Sequence, residues 1–141
     1  MVKVKLSGGK PPATGTRYRQ ESMSQNFQPG DFLIFQIESA YALLRILAIE
    51  EAGGEKVWHL AAYNEMCPDI DAVDAALENP SVFTVNKPHL ALTNRAFEST
   101  QTARMKNVPL AADEFKPFEE WKQSADRKVS DMSVRLLLGF R

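Results

Sequence analysis

From position 28 onward the chain places apolar side chains on both faces of its extended runs. DFLIFQI (31–37) sets Phe32, Ile34 and Gln36 on one face and Leu33, Phe35 and Ile37 on the other, the two-residue period of a strand. Pro29-Gly30 before it reads as a turn, with Asp31 as the one charge at the strand's mouth. After the break Glu38-Ser39, YALLRILAIEE alternates again: Tyr41, Leu43, Arg45, Leu47 and Ile49 against Ala42, Leu44, Ile46 and Ala48. Leu and Ala also suit helices. Tight turns on either side, ending in Gly53-Gly54, favour a strand, and EKVWHLAAYN after them begins with a strand's composition. Three strands joined by short turns make a meander. Strands that are apolar on both faces predict a closed or half-closed barrel, or a sheet covered on its second side by a helix.

The period then changes. In CPDIDAVDAALENP the residues Ile70, Val73 and Leu77 recur at three and four, Asp69 is an N-cap candidate, and Asn79-Pro80 ends the run, so the segment predicts a helix. SVFTV reads as a short strand. NKPHLALTNRAFEST reads as extended through Leu90–Leu92 with a turn near Thr93-Asn94. TARMKNVPL reads as a strand ending at Pro109. ADEFKPFEEWKQSADRK resembles a short helix, broken or started at Pro117, whose Phe115, Phe118 and Trp121 pin it to the sheet. DMSVRLLLGFR predicts a closing strand.

Together these elements predict one α+β domain over residues 28–141. Its expected form is a strongly bent antiparallel sheet or small SH3-like β-barrel of about five to seven strands, with two short helices packed on it. Residues 1–27, rich in Gly, Pro, Ser, Thr and Gln and poor in large apolar groups, predict a basic flexible N-terminal arm. Gly8, Gly9 and Gly15 around Lys10 do not make a phosphate loop, because two prolines follow the lysine where a helix should start.

Composition adds little until charge is divided along the chain. At 44% hydrophobic and 25% charged residues, this is an ordinary globular composition. No apolar run approaches the roughly 18 residues that span a bilayer. The N-terminus lacks a signal peptide's apolar stretch and there is one cysteine, so a cytoplasmic protein is expected. Residues 1–28 hold five cations against Glu21 alone, net +4, which leaves 12 cations against 17 carboxylates in the rest, net −5. The body is therefore mildly acidic, which opposes phosphate and favours a basic partner.

Three constellations carry candidate chemistry. The first is the acidic set Glu65, Asp69, Asp71, Asp74 and Glu78, on and beside the predicted helix. Asp69-x-Asp71 opens like a calcium loop but lacks the loop's glycine and terminal glutamate, so the set reads as an exposed acidic face able to dock a basic partner. The second is His59, Cys67 and His89, the only histidines and cysteine. They are too few for a zinc site but formally a nucleophile–base pair, so an enzyme using His59 or His89 with Cys67 is one alternative. The third is Arg95, Arg104 and Lys106 with Phe97, the makings of a nucleic-acid-binding barrel. No cofactor or metal is expected from any of them.

The order PGDFLIFQIESAYALLRIL, VWHLAAYNEMCPDIDAVDAAL and SVFTVNKPHLALTNRAFESTQTARMKNVPL is similar to that of the immunity protein 26 family of bacterial polymorphic-toxin systems. Gly30-Asp31 at the first strand, Arg45 on the second, the acidic helix from Asp69 to Glu78 and the closing Pro109-Leu110 carry the resemblance over roughly residues 28–110. It implies a non-enzymatic inhibitor that binds a toxin and blocks its active surface, with the acidic set as electrostatic docking groups toward a basic toxin domain.

Overall fold

The computed structural model describes residues 26–140. The strands are β1 (Asp31–Ile37), β2 (Ala40–Ala52), β3 (Glu55–Cys67), β4 (Val85–Thr93) and β5 (Ala103–Asn107). They form one antiparallel sheet in the order β4-β3-β2-β1-β5. The helices are α1 (Ile70–Ala76), α2 (Asn94–Thr100), α3 (Ala112–Gln123) and α4 (Val134–Leu137), and a 3-10 turn covers Pro80–Val82. The predicted α+β class and bent antiparallel sheet hold. The barrel does not: β4 and β5 are opposite edges of an open sheet. The predicted arm lies, over residues 1–25, outside the described residues. Phe27, placed in the arm by its composition, instead packs edge-on against Trp58 and Phe97.

Both faces of the sheet are covered by helices, which is why the strands are apolar on both sides. On one face Leu33, Phe35, Leu44, Ile46, Trp58, Leu60 and Leu92 lie under α2 and α4, joined by Ala96, Phe97 and Val134. On the other, Phe32, Ile34, Leu43, Tyr63 and Cys67 pack with Val73 and Leu77 from α1 and its C-cap, and Leu47 and Ala61 pack with Phe118 of α3. Each fully buried Leu, Ile or Phe contributes about 1.5–3 kcal/mol of apolar transfer. A sheet buried on both faces needs no curling to hide its apolar positions.

The alternation in β1 is as the sequence predicts. In β2 it slips, because the pairing with β3 shifts register between Ile46 and Ala48. Leu47 and Ala48 therefore both face the α3 side and Ile49 turns to the α2 side, a bulge's effect on every later side chain.

Four local expectations change. The residues from Pro80 begin a 3-10 turn rather than a strand, and β4 starts only at Val85. Thr93, read as a turn residue, caps α2 by accepting from the Ala96 N–H. The buried Ala96, Phe97 and Thr100 then hold that helix to the sheet. α3 runs unbroken through Pro117, since Phe115, Phe118 and Trp121 pack it down on both sides of the proline. The closing segment is the helix α4, capped by the Ser133 hydroxyl and anchored by buried Val134, not a strand. The segment before α4 runs along the end of β4, where Ser130 bridges Leu92.

One buried cation ties these layers together. Arg45, 2% exposed, points from β2 into the α1/α3 face. Its Nε donates to the Gly30 carbonyl at 3.1 Å, Nη2 to the Val108 carbonyl at 2.7 Å, and Nη1 to Glu114 of α3 at 2.7 Å. The guanidinium lies 4.2 Å from the centre of the Phe32 ring. Gly30 must be glycine here, because its φ is +93° and a Cβ would sit 2.6 Å from the Val108 carbonyl oxygen. Arg45→Met should lower the unfolding free energy by about 3 kcal/mol, the lower end for breaking a buried pair because Glu114 keeps water on one side. Urea denaturation measures it, and an unchanged midpoint would show that this cation carries no net stability.

Candidate functional site

The predicted acidic helix forms where expected, and its geometry sorts the five carboxylates. Asp69 is the N-cap, its Oδ1 accepting from the Ala72 N–H at 2.8 Å. Glu65, at the end of β3, accepts from the Thr84 N–H and hydroxyl. Slight burial pushes its pKa up, but the Thr84 hydrogen bonds outweigh this and hold the carboxyl below its ordinary range. These two are engaged in local structure. Asp71, Asp74 and Glu78 are exposed; Asp71 and Asp74 share one side of α1 at a spacing of three, and Glu78 follows directly after its C-cap Leu77. Val73 and Leu77 hold the opposite side in the core. Among the described residues, none of these three forms an ion pair. They make an acidic strip along the helix and the turn that ends it, fixed from beneath by Val73 and Leu77.

The two histidines meet. His59 is fully buried under α3, packed against the rings of both Phe118 and Trp121. Its Nε2 lies 2.9 Å from Glu50 Oε1 and its Nδ1 lies 2.9 Å from His89 Nε2. A carboxylate only accepts, so Nε2 of His59 carries the proton, Nδ1 accepts, and His89 donates to it. Burial lowers the His59 pKa; the Glu50 hydrogen bond and charge oppose it, and Lys122 adds a smaller push down. His89 is lowered to about 4, by burial first and by His59 next, with Glu50 opposing. Both rings are neutral at pH 7.

Cys67 does not join them. It lies eight residues further along β3, roughly 25 Å at about 3.3 Å per residue, in the cluster under α1. Burial first, then Asp69 and Glu65, raises the thiol's pKa, so the group is neutral and screened. The nucleophile–base pair is not assembled.

The basic set does not assemble either. Arg95 pairs with Asp131. Arg104, opposite Leu33, and Lys106, opposite Phe32, point to different faces of the sheet. Phe97 is buried and stacks on Trp58 with ring centres 3.9 Å apart, so it offers no platform to a base. Among the described residues, no three His, Cys, Asp or Glu side chains converge as a metal site, and no helix is long and apolar enough to cross a membrane.

Two features lie beyond what sequence spacing signals. One is the Glu50–His59–His89 chain, which needs β2, β3 and β4 in register. The other is a cleft of about 470 Å³ on the α1/α3 face, floored by Arg45, Leu47, Ala61 and Tyr63. Compared with known proteins, the chain matches no family model, no curated protein and no solved structure.

The histidine chain has a pH consequence. Unfolded histidines bind protons near pH 6.5, whereas folded His89 does so only near 4. Between these values the unfolded state holds more protons, so stability falls as pH drops from about 6.5 towards 4. Urea midpoints followed over that window should decline more steeply for the natural chain than for His89→Gln. Parallel curves would contradict the neutral pair.

Proposed function

We propose that this protein is a non-enzymatic binding module that docks a basic protein through the acidic side of α1, in the concrete form of an immunity protein that neutralises a toxin by direct contact. The observation that carries the reading is the strip Asp71, Asp74 and Glu78. Its carboxylates are exposed and without ion pairs among the described residues, on a helix and its closing turn whose other side is buried. A rigid row of like charges steers an oppositely charged protein and fixes its orientation without ordering flexible side chains first. The residues from 29 onward carry net −5, so the wider field has the same sign. The similarity in element order to the immunity protein 26 family adds the biological form. Glu65 and Asp69 belong to the site as supports, anchoring the two ends of the segment that presents the strip.

The partner to test is the protein encoded beside this one, taken as its C-terminal toxin-like domain. Calorimetry should give tight, salt-sensitive binding, and Asp71→Asn with Asp74→Asn should weaken it about tenfold or more at low salt. Affinity unmoved by the double substitution would overturn the docking face. A neighbouring gene with no toxin-like product would remove the immunity form.

A further inference from the structure

The cleft beside the acidic strip has a composition that selects its occupant. It opens two residues after Glu78, between the Pro80–Val82 turn and the start of α3. Its walls are apolar, and Tyr63 and Phe83 stand within it with ring centres 5.5 Å apart. Its charged groups are Arg45, Glu114 and Asp113. Arg45 is fully engaged by Glu114 and by the Gly30 and Val108 carbonyls. Asp113 is exposed and leaves the cleft net negative.

A purely apolar side chain would fill the walls but strip water from Glu114 and Asp113 without replacing it. An acidic group would meet two carboxylates. A long cationic side chain satisfies both halves, its stem along apolar walls and its head on carboxylates and aromatic faces.

We propose that this cleft receives an arginine side chain of the partner protein, the anchor that sets register beside the steering strip on α1. This rests on the reading of the protein as a docking module for a basic partner. Arginine is assigned over lysine because its planar guanidinium presents several donors to carboxylates and stacks on aromatic faces, whereas lysine's ammonium is a point charge.

The test uses the full chain, isotope-labelled for NMR, and titrates it with Nα-acetyl-arginine N-methylamide and with the neutral citrulline analogue of the same shape. The arginine probe should shift the amides of Tyr63, Ser81, Val85 and Asp113 in a saturable way. The citrulline probe should bind about tenfold more weakly, for the loss of charge-assisted hydrogen bonds. Asp113→Asn should reduce the arginine affinity several-fold. Val85→Trp, which fills the mouth from a half-exposed position, should abolish the shifts while leaving the thermal unfolding midpoint close to the natural value. No saturable shifts, shifts outside the cleft, or equal binding of citrulline would overturn the assignment. If the probe fails while partner binding still depends on Asp71 and Asp74, the cleft assignment alone falls. If the probe binds and partner affinity ignores those two residues, the α1 docking face falls and the cleft assignment stands.

Discussion

A guanidinium cannot shed its proton, so Arg45 inside the sheet must find acceptors or unfold the region around it. It finds them in three places far apart in sequence: the corner before β1 at Gly30, the exit of β5 at Val108, and α3 through Glu114. Glu114 also accepts from the Ala111 N–H at 2.8 Å, so the carboxylate that compensates Arg45 starts the helix too. The order of β5 beside β1, the glycine at position 30 and the seating of α3 are all conditions for one cation to be satisfied. Asp31 reinforces the same corner, accepting from the Gln28 N–H and from the Asn107 side chain.

Around that clasp the sheet divides the molecule into two faces of different character. The α2/α4 face is a continuous apolar core with the stacked Trp58 and Phe97 at one end. The α1/α3 face is interrupted by polar groups that all have partners, Arg45 at its centre and His59 beneath α3. The cleft is the space between the Pro80–Val82 turn and the start of α3 that Arg45 floors. Charge and shape thus meet on one face: an acidic strip on α1, and beside it a concavity with carboxylates at its rim. The opposite face holds a second hollow, about 1080 Å³ near Trp58, which is open and lined by both signs of charge.

Much of the scaffold was legible in the chain. The faces of β1, the meander, the Asp69 cap and the apolar side of α1 follow from period and local capping, which depend on neighbours within four residues. The aromatic spacing of α3 announced its seat on the sheet. The misread segments share a cause. Pro80 to Thr84, Asn94 to Thr100 and Val134 to Leu137 are short runs whose composition suits extended and helical backbone alike. What decides them is a distant contact: Glu65 on Thr84, Phe97 on Trp58, and the Thr100 hydroxyl on the Val134 N–H. The face of Ile49 was lost for a related reason, since a bulge is a property of the pairing of two strands rather than of either one.

The sequence by itself determined the α+β class, the places of most strands, the acidic strip and its separation from the apolar side of α1. Each is a matter of which side chains recur at two, three or four residues along one chain. Only the tertiary structure decided whether strands apolar on both sides would close into a barrel or be roofed by helices. It also decided that His59 would meet His89 rather than Cys67, and that Arg45 would be the buried centre instead of a surface charge. These outcomes depend on strand register and on which helix lies over which face. Both are settled by burying apolar area and satisfying buried polar groups across the whole sheet at once, and no local window of the chain contains that information.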